Sequence, residues 1–415
     1  LKKTGPVLRN IKKGNVYGDG QNKAVSDKNR IGETGNEYDE KIRKHRKSSL
    51  LKFIIIAIIA AAASAGLYFA WQNKVYSSYE VISSIERKDT ATTKYKDYNG
   101  KIIKYGMDGA SCTDADNTAL WNQTYEMQNP IIDICENYIA IGDKKGNSIY
   151  VFNAEGLQGE IDTLMPIQQI EVSSQGVVAA VLEDGEVTWI NFYDKEGKLL
   201  VDNKTTMSNS GYPMDIALSN DGEKLAISYL LVNSGVIKTN IAFYNFGSVG
   251  QNELDNLVSG YEYDKTVVPS VEFLNNTTAA AFGDNEISLY VGSQKPVVSG
   301  KIEVKDEIKS IFYSEEYIGL VFDNDDIENR YRMVIYDLNC KKIMEKAFNR
   351  DYDTIKIEGK KIVLFNELEC SIYNFRGIEK FHSAFDNEII DVIPVSGFNK
   401  YLIINASETE KIRLK

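Results

Sequence analysis

The side chains that this chain offers in number for chemistry are carboxylates. It has 59 Asp and Glu against 48 Lys and Arg, with only two histidines and four cysteines. The acids gather in short clusters: Glu183-Asp184-Gly185-Glu186, Asp284-Asn285-Glu286, Asp323-Asn324-Asp325-Asp326-Ile327-Glu328 and Glu367-Leu368-Glu369. Clustered carboxylates can attract a basic peptide segment, hold a divalent cation, or work in pairs as general acid and base. Nothing singles out a pair for acid–base work. Asp323–Glu328 lacks the ligand spacing of an EF-hand loop. Asp, Asn and Gly also make hairpin turns for purely structural reasons. The expectation is an acidic rim built from Glu183, Asp184, Glu186, Asp284, Glu286, Asp323, Asp325, Asp326, Glu328, Glu367 and Glu369, suited to a basic partner segment or a divalent cation.

Other chemistry is thinly represented. His45 sits in a basic stretch, and His382 stands alone, so a histidine-based metal site is not expected. No G-x-S-x-G elbow, P-loop or H-E-x-x-H occurs. Cys112, Cys135, Cys340 and Cys370 form no C-x-x-C pair. They allow three disulfide pairings, or none. No catalytic residue and no cofactor is nominated.

The elements that would position the rim are strands. From about Val81 onward the chain alternates with period two and is dense in Val, Ile, Tyr and Phe, with turn residues at short intervals. One strand type recurs, ending in an aromatic plus Asp or Asn. It appears as Ile149-Tyr150-Val151-Phe152-Asn153, Ile190-Asn191-Phe192-Tyr193-Asp194, Ala242-Phe243-Tyr244-Asn245, Val334-Ile335-Tyr336-Asp337 and Ile372-Tyr373-Asn374. Gly156, Gly197, Gly247 and Gly377 follow closely, as a tight turn with positive φ requires. These landmarks lie roughly 37–51 residues apart, the spacing of four-stranded propeller blades. The fold class is all-β. Blades are expected near 92–127, 130–164, 166–207, 212–264, 266–304, 307–349 and 352–385. Residues 388–415 supply about three strands, and Val81–Arg87 could add the fourth and close the ring. Eight blades follow, with seven as the alternative. The turns between second and third strands then all open on one face and carry the rim.

Ahead of the repeat stands Phe53–Trp71, FIIIAIIAAAASAGLYFAW, which contains no charge. As a helix it spans roughly 28 Å, against a hydrocarbon core of about 30 Å. Lys41, Arg43, Lys44, Arg46, Lys47 and Lys52 crowd its N-terminal side. That bias places the N-terminus in the cytoplasm and the C-terminal part outside. The expected organisation is a disordered basic tail over 1–49, a transmembrane helix over 50–72 and an extracytoplasmic propeller over 79–415. Residues 1–52 carry 14 basic and 6 acidic side chains. The strongly acidic remainder argues against nucleic acid, whose binding rests on phosphate neutralisation.

Ala119-Leu120-Trp121, following Gly109-Ala110-Ser111-Cys112-Thr113-Asp114-Ala115-Asp116, resembles a quinoprotein-type propeller repeat. With the basic tail and the single span, the chain resembles a family of uncharacterised Gram-positive membrane proteins carrying a WD40-like or quinoprotein-like propeller. The resemblance implies a location and a fold and brings no established activity. Only Trp121 and Trp189 lie in the propeller, so a bound quinone is not implied. The expected role is a binding scaffold for a protein or envelope component. A hydrolase or lyase acting on an envelope polymer and a transmembrane sensor are the alternatives.

Overall fold

The computed structural model describes residues 28–415 except 88, 91, 186, 207–209, 234 and 398. The chain divides into two units, Leu1–Asn73 and Lys74–Lys415.

The first unit is one helix, α1, over Lys28–Asn73. Its Glu40–Ala70 portion has a mean hydropathy of 2.4 in its most apolar window and buries none of it. By length and composition it can cross a membrane. The helix begins well before residue 50, within the stretch whose composition reads as disordered. Residues such as Glu40, Lys41, Arg43 and Lys44 are good helix formers, and extending an existing helix costs far less than nucleating one. Residues 1–27 of the expected tail lie outside the described residues.

The second unit is a ring of eight four-stranded antiparallel sheets. Blades 1 to 8 occupy 94–124, 130–162, 167–206, 212–263, 270–303, 308–348, 354–384 and 389–414. In blades 1 to 7 the strands follow one another from inside to outside in chain order. Blade 8 takes its outer strand, Tyr79–Glu86, from the start of the unit. That strand pairs antiparallel with Glu408–Leu414, from Tyr79 opposite Leu414 to Glu86 opposite Glu408. The ring therefore closes by hydrogen bonding, as expected.

An antiparallel meander sorts the turns onto two faces. First-to-second and third-to-fourth turns open on one face. Second-to-third turns and the connections between blades open on the other. The chain enters on the first of these. Tyr76 N–H donates to Lys380 O at 2.7 Å, the Tyr76 hydroxyl meets the Asn399 amide, and Ser77 N–H donates to Lys415 O at 3.0 Å.

Apolar side chains pack between neighbouring blades. Ile149, Val151 and Ile161 of blade 2 meet Val172, Val178 and Leu182 of blade 3, all buried. The seam between blades 8 and 1 is thinner, with Tyr95 and Ile102 against Ile393, Val395, Leu402 and Ile404. Trp121 stacks on Phe152 across the seam between blades 1 and 2, with centroids 4.8 Å apart. The recurring turn is built as its residues demand. Asp194 Oδ1 accepts the N–H of Glu196 at 3.0 Å and of Lys198 at 2.9 Å, and Gly197 takes φ 91°. Gly247 departs from the pattern, because its connection is enlarged by two 3-10 turns, Gly250–Asn252 and Leu254–Asn256. All four cysteines are free.

Candidate functional site: the inner-strand ring and the acidic face

Each blade carries a polar side chain within its innermost strand, in one of two registers two residues apart. Lys96, Asp133, Glu171, Glu272 and Lys356 share one register, and Asp215, Ser310 and Asp391 share the other. Several face a small residue on the second strand, as Asp133 faces Ala140, Glu171 faces Ala179 and Glu272 faces Ala280.

These groups reach forward to the next blade. Asp133 Oδ2 accepts the N–H of Val172 at 2.6 Å, and Asp215 Oδ2 that of Val271 at 2.9 Å. Tyr313 donates its hydroxyl to Glu272 Oε2 at 2.7 Å. Ser310 Oγ lies 2.8 Å from the Tyr352 hydroxyl, and Lys356 Nζ donates to Asp391 Oδ1 at 3.0 Å. A backbone N–H at an inner strand edge needs a partner, and a carboxylate from the preceding blade supplies it.

Charge is distributed unevenly around the ring. Lys356 also approaches Glu358 at 3.7 Å. Glu171, Asp215 and Glu272 sit on three successive blades, and their mutual repulsion adds to the cost of burial. Burial, followed by repulsion from Asp133, Glu272 and Asp215, pushes the Glu171 carboxyl well above the ordinary range. Burial pushes Glu272 up to about 7 and Asp133 up to about 6. Asp215 is raised by burial too, against the pull of the Val271 N–H. Each carboxyl of this arc holds its proton more tightly than it would in water.

The expected rim residues lie in second-to-third turns. Glu183 and Asp184 end the second strand of blade 3, Val178–Asp184. Asp284 and Glu286 bracket the turn of blade 5, and Glu367 and Glu369 that of blade 7. Asp323, Asp325 and Asp326 close the second strand of blade 6, Tyr317–Asp326, with Glu328 beyond it. Glu186 lies outside the described residues. Several rim acids have local partners. Glu183 accepts from Gln168 Nε2 at 2.5 Å, Glu286 pairs with Lys301 at 2.8 Å, and Asp323 pairs with Lys309 at 3.0 Å. Asp326 accepts from Asn329 at 2.9 Å and from the Glu328 N–H at 3.0 Å, which hold its carboxyl below the ordinary range. Asp284, Asp325, Glu328 and Glu367 are exposed. Among the described residues no group of three or more His, Cys, Asp or Glu is placed to hold a metal ion. His382 bonds Ser371 Oγ at 3.0 Å on the outer strand of blade 7.

The inner-strand ring is absent from the sequence expectation. Its signal is one polar residue inside an apolar strand, recurring blade by blade: Ile132-Asp133-Ile134, Ile170-Glu171-Val172, Met214-Asp215-Ile216, Val271-Glu272-Phe273 and Ile355-Lys356-Ile357.

Residues 72–414 match the model of a family of unknown function, DUF5711. The chain belongs to that family. The DUF5711 match takes in every blade of the ring. No curated protein matches the chain. Among solved structures, the DUF5711 propeller is similar to Sqt1 from Chaetomium thermophilum, in its structure bound to the N-terminus of ribosomal protein L10. That match has a TM-score of 0.52 and 10% identity over 81% of this chain and 100% of the other. It is also similar to BamB from Moraxella catarrhalis, with a TM-score of 0.48 and 12% identity over 81% of this chain and 100% of that one. At such identities the likeness is one of fold.

Proposed function

We propose that this DUF5711 chain is a membrane-anchored propeller that binds a protein or envelope component through its acidic face. The supporting observation is a separation of faces. The chain enters where the first-to-second turns lie, and the exposed Asp284, Asp325, Glu328 and Glu367 lie on second-to-third turns, at the opposite face. A partner with a basic segment would meet the face away from the entry point. Rigid blades carrying variable loops suit recognition, and in Sqt1 a propeller is found with a protein N-terminus bound. The apolar α1 would be the anchor, and the Lys and Arg before it would hold the N-terminus in the cytoplasm. The propeller would then work on the outer side of a Gram-positive membrane, as the resemblance implies.

The test is affinity capture of the full chain from crosslinked membranes, beside a variant carrying Asp325→Asn, Asp326→Asn and Glu328→Gln. Partners of the wild-type chain should be lost from the variant. An identical partner set from both would overturn the acidic-face reading. Protease added to intact cells should remove the propeller; protection until permeabilisation would reverse the orientation.

A further inference from the structure

Blade 4 departs from the rest of the ring in three respects. Its central hairpin is built from two ten-residue strands, Lys224–Asn233 and Val236–Asn245. Its third-to-fourth connection is enlarged by the two 3-10 turns described above. The third respect is a loss of side chains. In blades 1, 2, 3, 5, 6 and 7 the fourth strand carries Asn122, Glu160, Asp202, Lys301, Glu345 and His382 at one equivalent position. Each stands opposite the third-strand residue two places before the recurrent bulge. In blade 4 that pair is Ala242 and Gly260.

Where the other blades fill this surface, blade 4 leaves a cleft of about 380 Å³. Tyr229, Asn240, Tyr244, Leu257, Tyr261 and Glu262 line it around the small pair. The walls are held firmly. The Tyr229 and Tyr244 hydroxyls are 3.4 Å apart, and Tyr261 donates to Pro296 O at 3.0 Å. Glu262 is ion-paired with Lys238, which also lies 2.7 Å from Asp264. One polar atom is left over: Asn240 Oδ1 is buried and has no partner.

We propose that this cleft is a binding site for a neutral saccharide unit. The ligand must bring a hydrogen-bond donor to Asn240 Oδ1, because a buried acceptor left unmatched is costly. It must present an apolar face to the exposed Leu257 side chain while its edge carries polar groups. It needs no charge, because Lys238 already answers Glu262. A pyranose ring has this combination: C–H groups on its face and hydroxyls around its edge. The volume is at the low end of the roughly 300–1,000 Å³ typical of ligand pockets, enough for about one or two rings.

The test uses the full chain in lipid nanodiscs, because glycoside detergents would compete. Saturation-transfer NMR is run with cellotetraose, maltotetraose, xylotetraose and chitotetraose, and calorimetry with any that respond. At least one should bind with millimolar affinity or better. Gly260→Phe should abolish that binding without moving the thermal midpoint, because a Cβ at Gly260 meets no atom within 4 Å. Asn240→Ala should weaken it about tenfold, the worth of one hydrogen bond. Silence from all four sugars would overturn the proposal. So would sugar binding that survives Gly260→Phe, or a cleft that takes the peptide Gly-Tyr-Gly in preference to every sugar. None of the rim residues lines the cleft, so a negative result here leaves the acidic-face reading standing.

Discussion

Two arcs of the inner-strand ring carry the same kind of side chain in different company. On blades 7 and 8 Asp391 is answered by Lys356, which also serves Glu358. On blades 3 to 5 Glu171, Asp215 and Glu272 follow one another on inner strands that carry no lysine. One arc meets the burial of charge with a counter-ion. The other meets it with protons, backbone N–H groups and the Tyr313 hydroxyl. The lesson is that charge on the inner strands can be satisfied by pairing or by titration, and the two solutions respond differently to pH.

The largest effect is expected where the paired arc loses its cation. Lys356→Met should cost about 2–4 kcal/mol at pH 7.5, because it strands Asp391 and Glu358 together. Chemical denaturation measures this, and a loss below about 0.5 kcal/mol would erase the distinction between the arcs.

The next effect is one of pH. A carboxyl raised on folding contributes stability that is complete below its unfolded pKa, about 4, and is lost as pH climbs through its folded value. Glu272 at about 7 and Asp133 at about 6 set the window. The thermal midpoint should fall as pH rises from about 5 to 8. Glu171→Gln should stabilise the protein at pH 8 and flatten that slope, because the amide has no charge to bury. An unchanged slope would mean that the acidic arc is not what titrates. Tyr313→Phe should cost about 1–2 kcal/mol at pH 8 by removing the donor to Glu272, and less at pH 5, where the carboxyl is protonated. Equal losses at both pH values would show that the bond is indifferent to charge. The smallest effect on stability belongs to the rim. Asp325→Asn with Glu328→Gln should stay within about 0.5 kcal/mol of wild type, because both side chains are exposed.

The blades are legible in the sequence because their signals are local. Asp194 and Gly197 lie in one turn, and a glycine three residues after an aspartate can be read without knowing any distant partner. The ring closure is legible too, since three strands at one end and one at the other complete a blade. The inner-strand ring is harder to read because its meaning is entirely non-local. Asp133 and Val172 are 39 residues apart, and Asp215 and Val271 are 56 apart. One aspartate in an apolar strand resembles ordinary alternation until the blades are superposed. The blade 4 cleft was hidden for the opposite reason: it arises from what Ala242 and Gly260 lack. The rim is a middle case. Turn position follows from the repeat, whereas the engagement of Glu183, Glu286 and Asp323 by neighbours depends on side chains of other strands.

The closing strand has a consequence for synthesis. Tyr79–Glu86 leaves the ribosome before any of the other described strands, yet its partner, Glu408–Leu414, is the last of those strands to be made. Until Glu408–Leu414 emerges, that early segment has nothing to pair with, and the nascent ring stays open with unsatisfied edges at both ends. A chain lacking Glu408–Leu414 would lose the latch and keep seven finished blades, so this one strand decides whether the whole ring can shut.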